Sequence, residues 1–544
     1  LKYKEIAEAM EISVPDLKPD APRPVAKICK DLALTPLAYN STGATGSLRH
    51  DLAADFTLKL YGGDSFTLSQ KWSGCESYIF LPDTLRSSQK STSACVWDKD
   101  LATLVAYSPT NAHYFFIAAT SAAKTGTQLK EMQARVDKVL AALDATKKAH
   151  WKSRLHVVAT HADDLTGWMK GVLGTGIGTR GFAIDRAQRL RGVGSLADVH
   201  RYSAQLKADG VWPYAANMAY AAHEVMYYNY EAKRQARLDA ETVTELKLWK
   251  GETIQEYAEM AVTLPDAKTM ATFDTLELDV TQRCPVTTTP EFGNCGAWDY
   301  ISHIYIKEEA AGPDGGTAKY HELGRLITTY HREGRWLLDM SPMLPRLAAG
   351  GKQTFKWSWA PSWNKQPTAT WLSLRLSNQK KGKRPVKLVP LFDGGKFGTD
   401  YNKNYKPMTV NIPATAKKVE LHAIISGHGM STTYNCAEFC KHQHQFTVNG
   451  TKFLQEYPVA GNKDGCMKSI AMGTVPNQWG TWWLGRGGWC PGQQVDPYEV
   501  DLTSVAPAGK TATISYEGMY NGSSTLSVSD MGTITMKSYL VIHE

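Results

Sequence analysis

The alternation of hydrophobic and polar positions divides the 544-residue chain into two textures. Up to about residue 240, unbroken apolar runs alternate with stretches of helical period. "CESYIFLP" (75–82), "HYFFIAAT" (113–120) and "RLHVVAT" (154–160) are short and rich in aromatic and β-branched residues, as strands buried on both faces require. Between the last two, "TQLKEMQARVDKVLAAL" places Leu129, Met132, Val136, Val139 and Leu140 on one helical face. "DFTLKLYGGDSFTLS" (55–69) reads as a hairpin turning at Gly62-Gly63-Asp64, and "GFAIDRAQRLRGVG" (181–194) as a second. The Ala- and Tyr-rich stretch 214–240 reads as a helical connector. From Glu241 onward helical period nearly vanishes. Alternating runs such as "TELKLWKG", "DYISHIYIK", "TWLSLRLS" and "TITMKSYLVIHE" recur between Gly, Pro and Asn, the signature of antiparallel sandwiches or jelly rolls.

These patterns predict a multidomain protein: an N-terminal α/β domain followed by two antiparallel β jelly-roll domains. The expected divisions are an extension over 1–48, an α/β domain over 49–213, the connector over 214–240, and jelly rolls over 241–380 and 381–544. The last break falls at "SNQKKGKRP" (377–385), where a basic, non-periodic stretch interrupts the strands. In its order of elements the α/β segment resembles the thioredoxin-like fold of peroxiredoxins and thiol-disulfide oxidoreductases. It has no CxxC before its first helix, and Arg180 stands near the place of the usual cis-proline. A dithiol mechanism needs two sulfurs in exchange geometry, so the domain is expected to be redox-inactive; Cys75–Cys95 is a candidate structural bridge, and spacing leaves the pairing of Cys29, Cys75 and Cys95 open. "GTGIGTRG" (174–181) imitates a nucleotide loop but leads into a strand instead of opening a helix, so it is expected to be a plain loop.

Composition narrows the function classes. A net charge of +8 is small for this length, and "KKGKR" (380–384) is the one basic run, so a nucleic-acid partner is not expected. No apolar stretch of about 18 residues predicts a membrane-spanning helix. The sequence begins at Leu1 without a basic-then-apolar leader, as a processed or trimmed form would. Nine cysteines without a CxxC pair, six of them in the C-terminal half, lean toward an oxidising compartment, and the odd count leaves at least one unpaired within the chain. The expected setting is secreted or periplasmic.

The densest chemistry is "YNCAEFCKHQHQF" (434–446). Its residues admit two readings. His442 and His444 lie on one strand face and, with His428 and Met430, could hold copper. Alternatively Cys436 and Cys440, four residues apart, meet across one tight turn and hold Glu438 rigidly outward.

The motifs in order favour the second. "ISGHGM", "NCAEFC", "GC" and "RGGWCPG" in the last third, with "RCPVTTTPEFGNCGAWDYISHIYI" (283–306) and "ELGRLITTY" (322–330) before them, resemble the peptide N-glycosidase F family over about 300 residues. The resemblance implies an amidase that cleaves the asparagine–N-acetylglucosamine bond of N-glycosylated peptides and glycoproteins, without metal or cofactor. It implies Asp299 and Glu438 as catalytic carboxylates, and Arg486 and Trp489 as site-lining groups. It also implies the bridges Cys284–Cys295, Cys436–Cys440 and Cys466–Cys490. Trp298, His428, Trp357 and Trp359 are added as candidate sugar contacts. The chain departs from the family in three places: Gly296 and Ala297 replace acidic residues, His428 replaces a tryptophan, and "FKWSWAPSW" offers no third carboxylate. A copper-dependent monooxygenase and a non-catalytic glycan-binding protein are the alternatives. A monomer is expected.

Overall fold

A computed structural model of the chain describes residues 25–83, 97, 101–120, 122, 125–175, 181–194, 203–308, 318–429, 434–484 and 486–544. Cys95, Arg180 and Met430, and most of the "GTGIGTRG" loop, lie outside these residues.

The N-terminal part is built on a five-stranded sheet ordered Leu155–Val158, Ala112–Ile117, Ser77–Pro82, Phe182–Ile184, Leu190–Gly192. The first three strands are parallel and the last two form an antiparallel hairpin. Every residue of Ser77–Pro82 and Ala112–Ile117 is buried, which explains their unbroken apolar sequence. Helix Thr125–Ala141 covers one face with Leu129, Met132, Val136 and Leu140. Strands Thr57–Lys59 and Ser65–Thr67 form the expected hairpin. Cys75 is bonded to Cys29, not to Cys95, because the short helix Val25–Asp31 brings Cys29 against the start of the central strand.

The stretch read as a connector is a packed element. Helix Tyr220–Ala240 buries Tyr220, Ala221, Ala222, His223, Glu224 and Val225 consecutively, so its first turns are enclosed on all sides. Glu224 accepts hydrogen bonds from Arg332 Nη1 (3.0 Å), Asn477 Nδ2 (2.8 Å) and the Gly194 amide (3.2 Å). One carboxylate thereby ties the N-terminal sheet, the first sandwich and a loop of the second.

The C-terminal part is two jelly-roll-like sandwiches. In the first, one antiparallel sheet is ordered Gly334–Asp339, Thr275–Arg283, Thr368–Ser377, Thr244–Ile254, and faces another ordered Lys319–Ile327, Ile301–Glu308, Gly350–Ser358, Tyr257–Asp266. The second repeats this topology, with Pro385–Lys396, Thr533–His543, Lys418–His428, Tyr498–Asp501 facing Met408–Asn411, Thr511–Tyr520, His442–Val448, Thr451–Gln455. The chain is thus multidomain and mostly β. Segment 377–385 runs directly from a strand of the first sandwich into a strand of the second.

Arg325, fully buried, fixes the two sandwiches together. Its guanidinium pairs with Glu322 at 2.5 Å and donates to Ser426 Oγ (2.9 Å) and to the Thr535 carbonyl (2.6 Å). Those acceptors lie on neighbouring strands of the second sandwich, so the end of Lys418–His428 is held against the first. An apolar core runs from the N-terminal sheet through the first sandwich to Trp482 and Trp489, while the second sandwich has a core of its own.

Candidate active site

Three cystine-closed loops converge where the sandwiches meet. Cys284–Cys295 closes the loop before Asp299, Cys436–Cys440 the turn that carries Glu438, and Cys466–Cys490 the long loop that carries Arg486. These are the pairings the family resemblance implies.

Asp299 precedes strand Ile301–Glu308 and is held from both sides by Thr328. The Thr328 hydroxyl donates to the Trp298 carbonyl and accepts the Tyr300 amide at 2.7 Å. Glu438 sits in the one-turn helix Cys436–Phe439, which packs on the end of strand Lys418–His428. That approach requires glycine at 427, where a Cβ would fall 2.3 Å from the Ala437 carbonyl oxygen. The Glu438 carbonyl accepts the Gly487 amide at 2.6 Å and its Oε2 accepts the Gly429 amide at 3.3 Å.

Arg486 is the hub. It is fully buried and donates through Nη1 to the carbonyls of Thr481 and Leu484, both at 2.7 Å. Its Nη2 reaches Thr481 Oγ1 at 2.7 Å and Asp299 Oδ2 at 3.5 Å, and Nε lies 4.0 Å from Glu438 Oε1. Its guanidinium faces the rings of Phe439 and Trp489, 4.5 and 5.5 Å away. One cation therefore stands between two carboxylates that, with His428, bring their oxygen and nitrogen atoms within 4.8 Å of one another. These three side chains are close enough to share a divalent ion, but Arg486 already supplies positive charge there. Burial raises the Glu438 carboxyl above its usual value; the charges of His428 and Arg486 offset this only in part, and Asp299 adds to it.

The candidate sugar contacts divide sharply. Trp298 is 52% exposed at the site's edge. His428 is half-buried and stacks flat on Trp489, with ring centres 5.2 Å apart. Trp489 is only 1% exposed, so His428 and not Trp489 presents a face to a ligand. Trp357 (0%) and Trp359 (4%) belong to the core of the first sandwich and are unavailable to a sugar. They share a strand face with Phe355, opposite Lys356 and Ser358, and that face turns inward.

Two of the histidines proposed for copper, His442 and His444, face inward as well. His442 Nδ1 lies 3.0 Å from His444 Nε2, and His444 Nδ1 lies 2.7 Å from the Tyr516 hydroxyl. Burial brings the His442 imidazole down to about 4, so these rings form a neutral hydrogen-bonded chain inside the second sandwich. Among the described residues, neither belongs to a cluster of three potential metal ligands.

Two groups escaped the sequence reading. The Tyr330 hydroxyl lies 3.2 Å from Thr481 Oγ1, and burial with the Asp299 charge beside it pushes its ionisation upward. Thr481 in turn receives Arg486. Tyr330 ends "ELGRLITTY", a motif already noted, but no local period marks it as a site residue. A cavity of about 640 Å³ lined by Arg186, Glu231, Arg283 and Arg335 lies apart from these groups.

Residues 396–541 match the sequence model of Peptide-N-glycosidase F, C terminal. The chain is 25% identical over 301 residues to peptide-N(4)-(N-acetyl-beta-D-glucosaminyl)asparagine amidase F of Elizabethkingia miricola, spanning 52% of this chain and 77% of that protein. The C-terminal half is thus similar to the peptide N-glycosidase F family. The crystal structure of a peptide-N(4)-(N-acetyl-beta-D-glucosaminyl)asparagine amidase superposes with a TM-score of 0.44 at 20% identity, over 56% of this chain and 96% of the other. A structure of PNGF-II gives 0.40 at 14% identity, over 57% and 67%. Within this peptide N-glycosidase F-like half lie all three loops that bring Asp299, Glu438 and Arg486 together. The N-terminal sheet and its long helix lie before the segment matched by the family's C-terminal model.

Proposed function

We propose that the protein is a peptide N-glycosidase, an amidase that hydrolyses the bond between asparagine and the first N-acetylglucosamine of N-glycosylated peptides and glycoproteins. The observation that carries this reading is the convergence of Asp299, just after one cystine-closed loop, with Glu438 and the buried Arg486 from two others onto one point between the sandwiches. Amide hydrolysis needs an oriented water, a donor for the departing nitrogen and stabilisation of the tetrahedral oxyanion. Asp299 orients the water. Glu438, its carboxyl raised by burial, retains a proton more readily than an exposed glutamate. Arg486 is placed to stabilise developing negative charge. Trp298 and His428 offer the faces on which a pyranose stacks.

The N-terminal sheet, parallel in three strands and closed by an antiparallel hairpin, supports a thioredoxin-like domain over residues 49–213. Its Cys29–Cys75 bridge is buried, which suits a structural and not an exchanging disulfide. Four disulfides and the absence, among the described residues, of a helix long and apolar enough to cross a membrane accord with a secreted or periplasmic setting. We read the enzyme as a monomer.

The test is incubation with a defined N-glycopeptide, with and without EDTA, followed by mass analysis. Conversion of the glycosylated asparagine to aspartate, insensitive to EDTA and lost in Asp299→Ala, supports the amidase. EDTA-sensitive oxidation points to metal chemistry, and binding without turnover to a glycan-binding protein.

A further inference from the structure

His428 holds a position that glycan stacking alone does not account for. It is the last residue of strand Lys418–His428, pinned in register opposite Thr533 and steadied by the Arg325–Ser426 hydrogen bond two residues earlier. Its ring lies flat on Trp489, with planes 8° from parallel, so the ring plane is fixed. Its Nε2 lies 4.0 Å from Asp299 Oδ1. Its Nδ1 is buried and has no hydrogen-bond partner among the described residues. A separation of 4.0 Å is too long for a direct hydrogen bond but suits a water that touches both groups. The charged groups beside the ring are Asp299 from the loop before Ile301–Glu308 and Glu438 from the Cys436–Cys440 turn, and Arg486 from the Cys466–Cys490 loop lies against both carboxylates. About a third of the His428 side chain is exposed, so a substrate can reach it.

We propose that His428 is a catalytic residue of this site, taking a proton from the attacking water at Nε2 and returning it to the departing nitrogen. The proposal rests on the amidase reading. In the first step the water oxygen bonds to the carboxamide carbon, the carbonyl electron pair moves to oxygen, and one water proton passes to Nε2. In the second, the carbonyl re-forms, the carbon–nitrogen bond breaks, and that proton goes to nitrogen, which leaves as the glycosylamine. Water is consumed, His428 returns to neutral, and the new aspartic acid ionises. Asp299 orients the water from the other side, and Arg486 faces the oxygen that gains charge. Imidazole suits this shuttle because the same ring nitrogen can accept a proton and return it. It also supplies a third titratable group where the sequence lacks a third carboxylate.

The test compares kcat and KM across pH for the wild type, His428→Gln and His428→Trp on one glycopeptide, and adds imidazole to His428→Ala. The tryptophan variant keeps an aromatic ring against Trp489 but carries no transferable proton. The expected result is a fall in kcat of about 10²-fold or more in both the Gln and Trp variants. KM stays within a few-fold, the acid-side pH dependence disappears, and added imidazole restores part of the Ala variant's activity. Near-wild-type kcat in His428→Gln or His428→Trp, a retained acid-side dependence, or an Ala variant that imidazole leaves inactive overturns the proposal. An inactive wild type overturns the amidase reading and this proposal with it; an active wild type beside an active His428→Gln overturns this proposal alone.

Discussion

Replacing Cys436 and Cys440 together by alanine tests whether the cystine positions Glu438 or only stabilises the fold. The bridge spans four positions, and the chain-entropy relation puts its contribution at about 2 kcal/mol. That is a modest fraction of the stability of a chain this size, so the protein is expected to remain folded. The turn keeps other restraints: the Ala437 amide donates to the Met531 carbonyl at 2.7 Å, and the Gly487 amide to the Glu438 carbonyl at 2.6 Å. What the double variant loses is the covalent limit on how far Glu438 swings from Asp299 and Arg486. A misplacement of about 1 Å at a reacting group costs up to about 10²-fold. The expected outcome is a kcat lowered by between about 10- and 100-fold, with KM little changed and the urea midpoint shifted to match about 2 kcal/mol. Glycan release followed by chromatography and urea unfolding followed by tryptophan fluorescence give the two numbers. An unchanged kcat in protein shown by mass to lack the bridge would refute the idea that the cystine serves the carboxylate.

Trp298→Ala should raise KM several-fold, about 1 kcal/mol, without altering stability, because its ring is exposed; Trp357→Ala should cost about 3–5 kcal/mol of stability as a core truncation. Steady-state kinetics and urea unfolding of the pair separate the two roles. Because the folded-state pKa of Glu438 is raised, the folded protein holds the proton more tightly than the unfolded chain, so its ionisation destabilises the fold as pH rises from the ordinary carboxylate range through the raised value. Relative to Glu438→Gln, the wild type should therefore lose stability across that window and show a constant difference on either side; urea midpoints measured pairwise over pH check the sign. Glu224→Ala should destabilise by about 3 kcal/mol, since Arg332 keeps Glu291 at 2.7 Å but loses its second carboxylate, and a change under about 0.5 kcal/mol in urea unfolding counts against the network.

Much of the architecture is written in local periodicity. Ser77–Pro82 and Ala112–Ile117 announce burial on both faces by being apolar throughout, and the period-two runs after Glu241 become the strands of both sandwiches. That Asp299 and Glu438 come together was legible because cysteines mark the loops beside them. Trp357 and Trp359 are core residues and not sugar contacts for a local reason: their alternation with Lys356 and Ser358 puts them on the apolar face of the strand. Trp489 and His428 could not be separated in this way. Sixty residues lie between them, and only tertiary packing decides which ring covers which. Tyr330 and Thr481 meet across a still longer interval, through loops without a repeating pattern. Cys29 was missed as the partner of Cys75 because the helix that delivers it is a single short segment in a stretch of low periodicity. The burial of Tyr220–Ala240 rests on Glu224 finding Arg332 and Asn477, more than a hundred residues away.

Asp299, at the meeting of the two sandwiches, is proposed to direct water onto the asparagine carboxamide. Turnover of a defined N-glycopeptide in heavy-oxygen water, by the wild type and by Asp299→Asn, tests it directly. The wild type is expected to release the intact glycan and leave an aspartate carrying the heavy oxygen, and the variant, folded as judged by its near-ultraviolet circular dichroism, to lose this reaction by at least about 10²-fold. Cleavage that leaves N-acetylglucosamine on the asparagine, or undiminished label incorporation by Asp299→Asn, would contradict it.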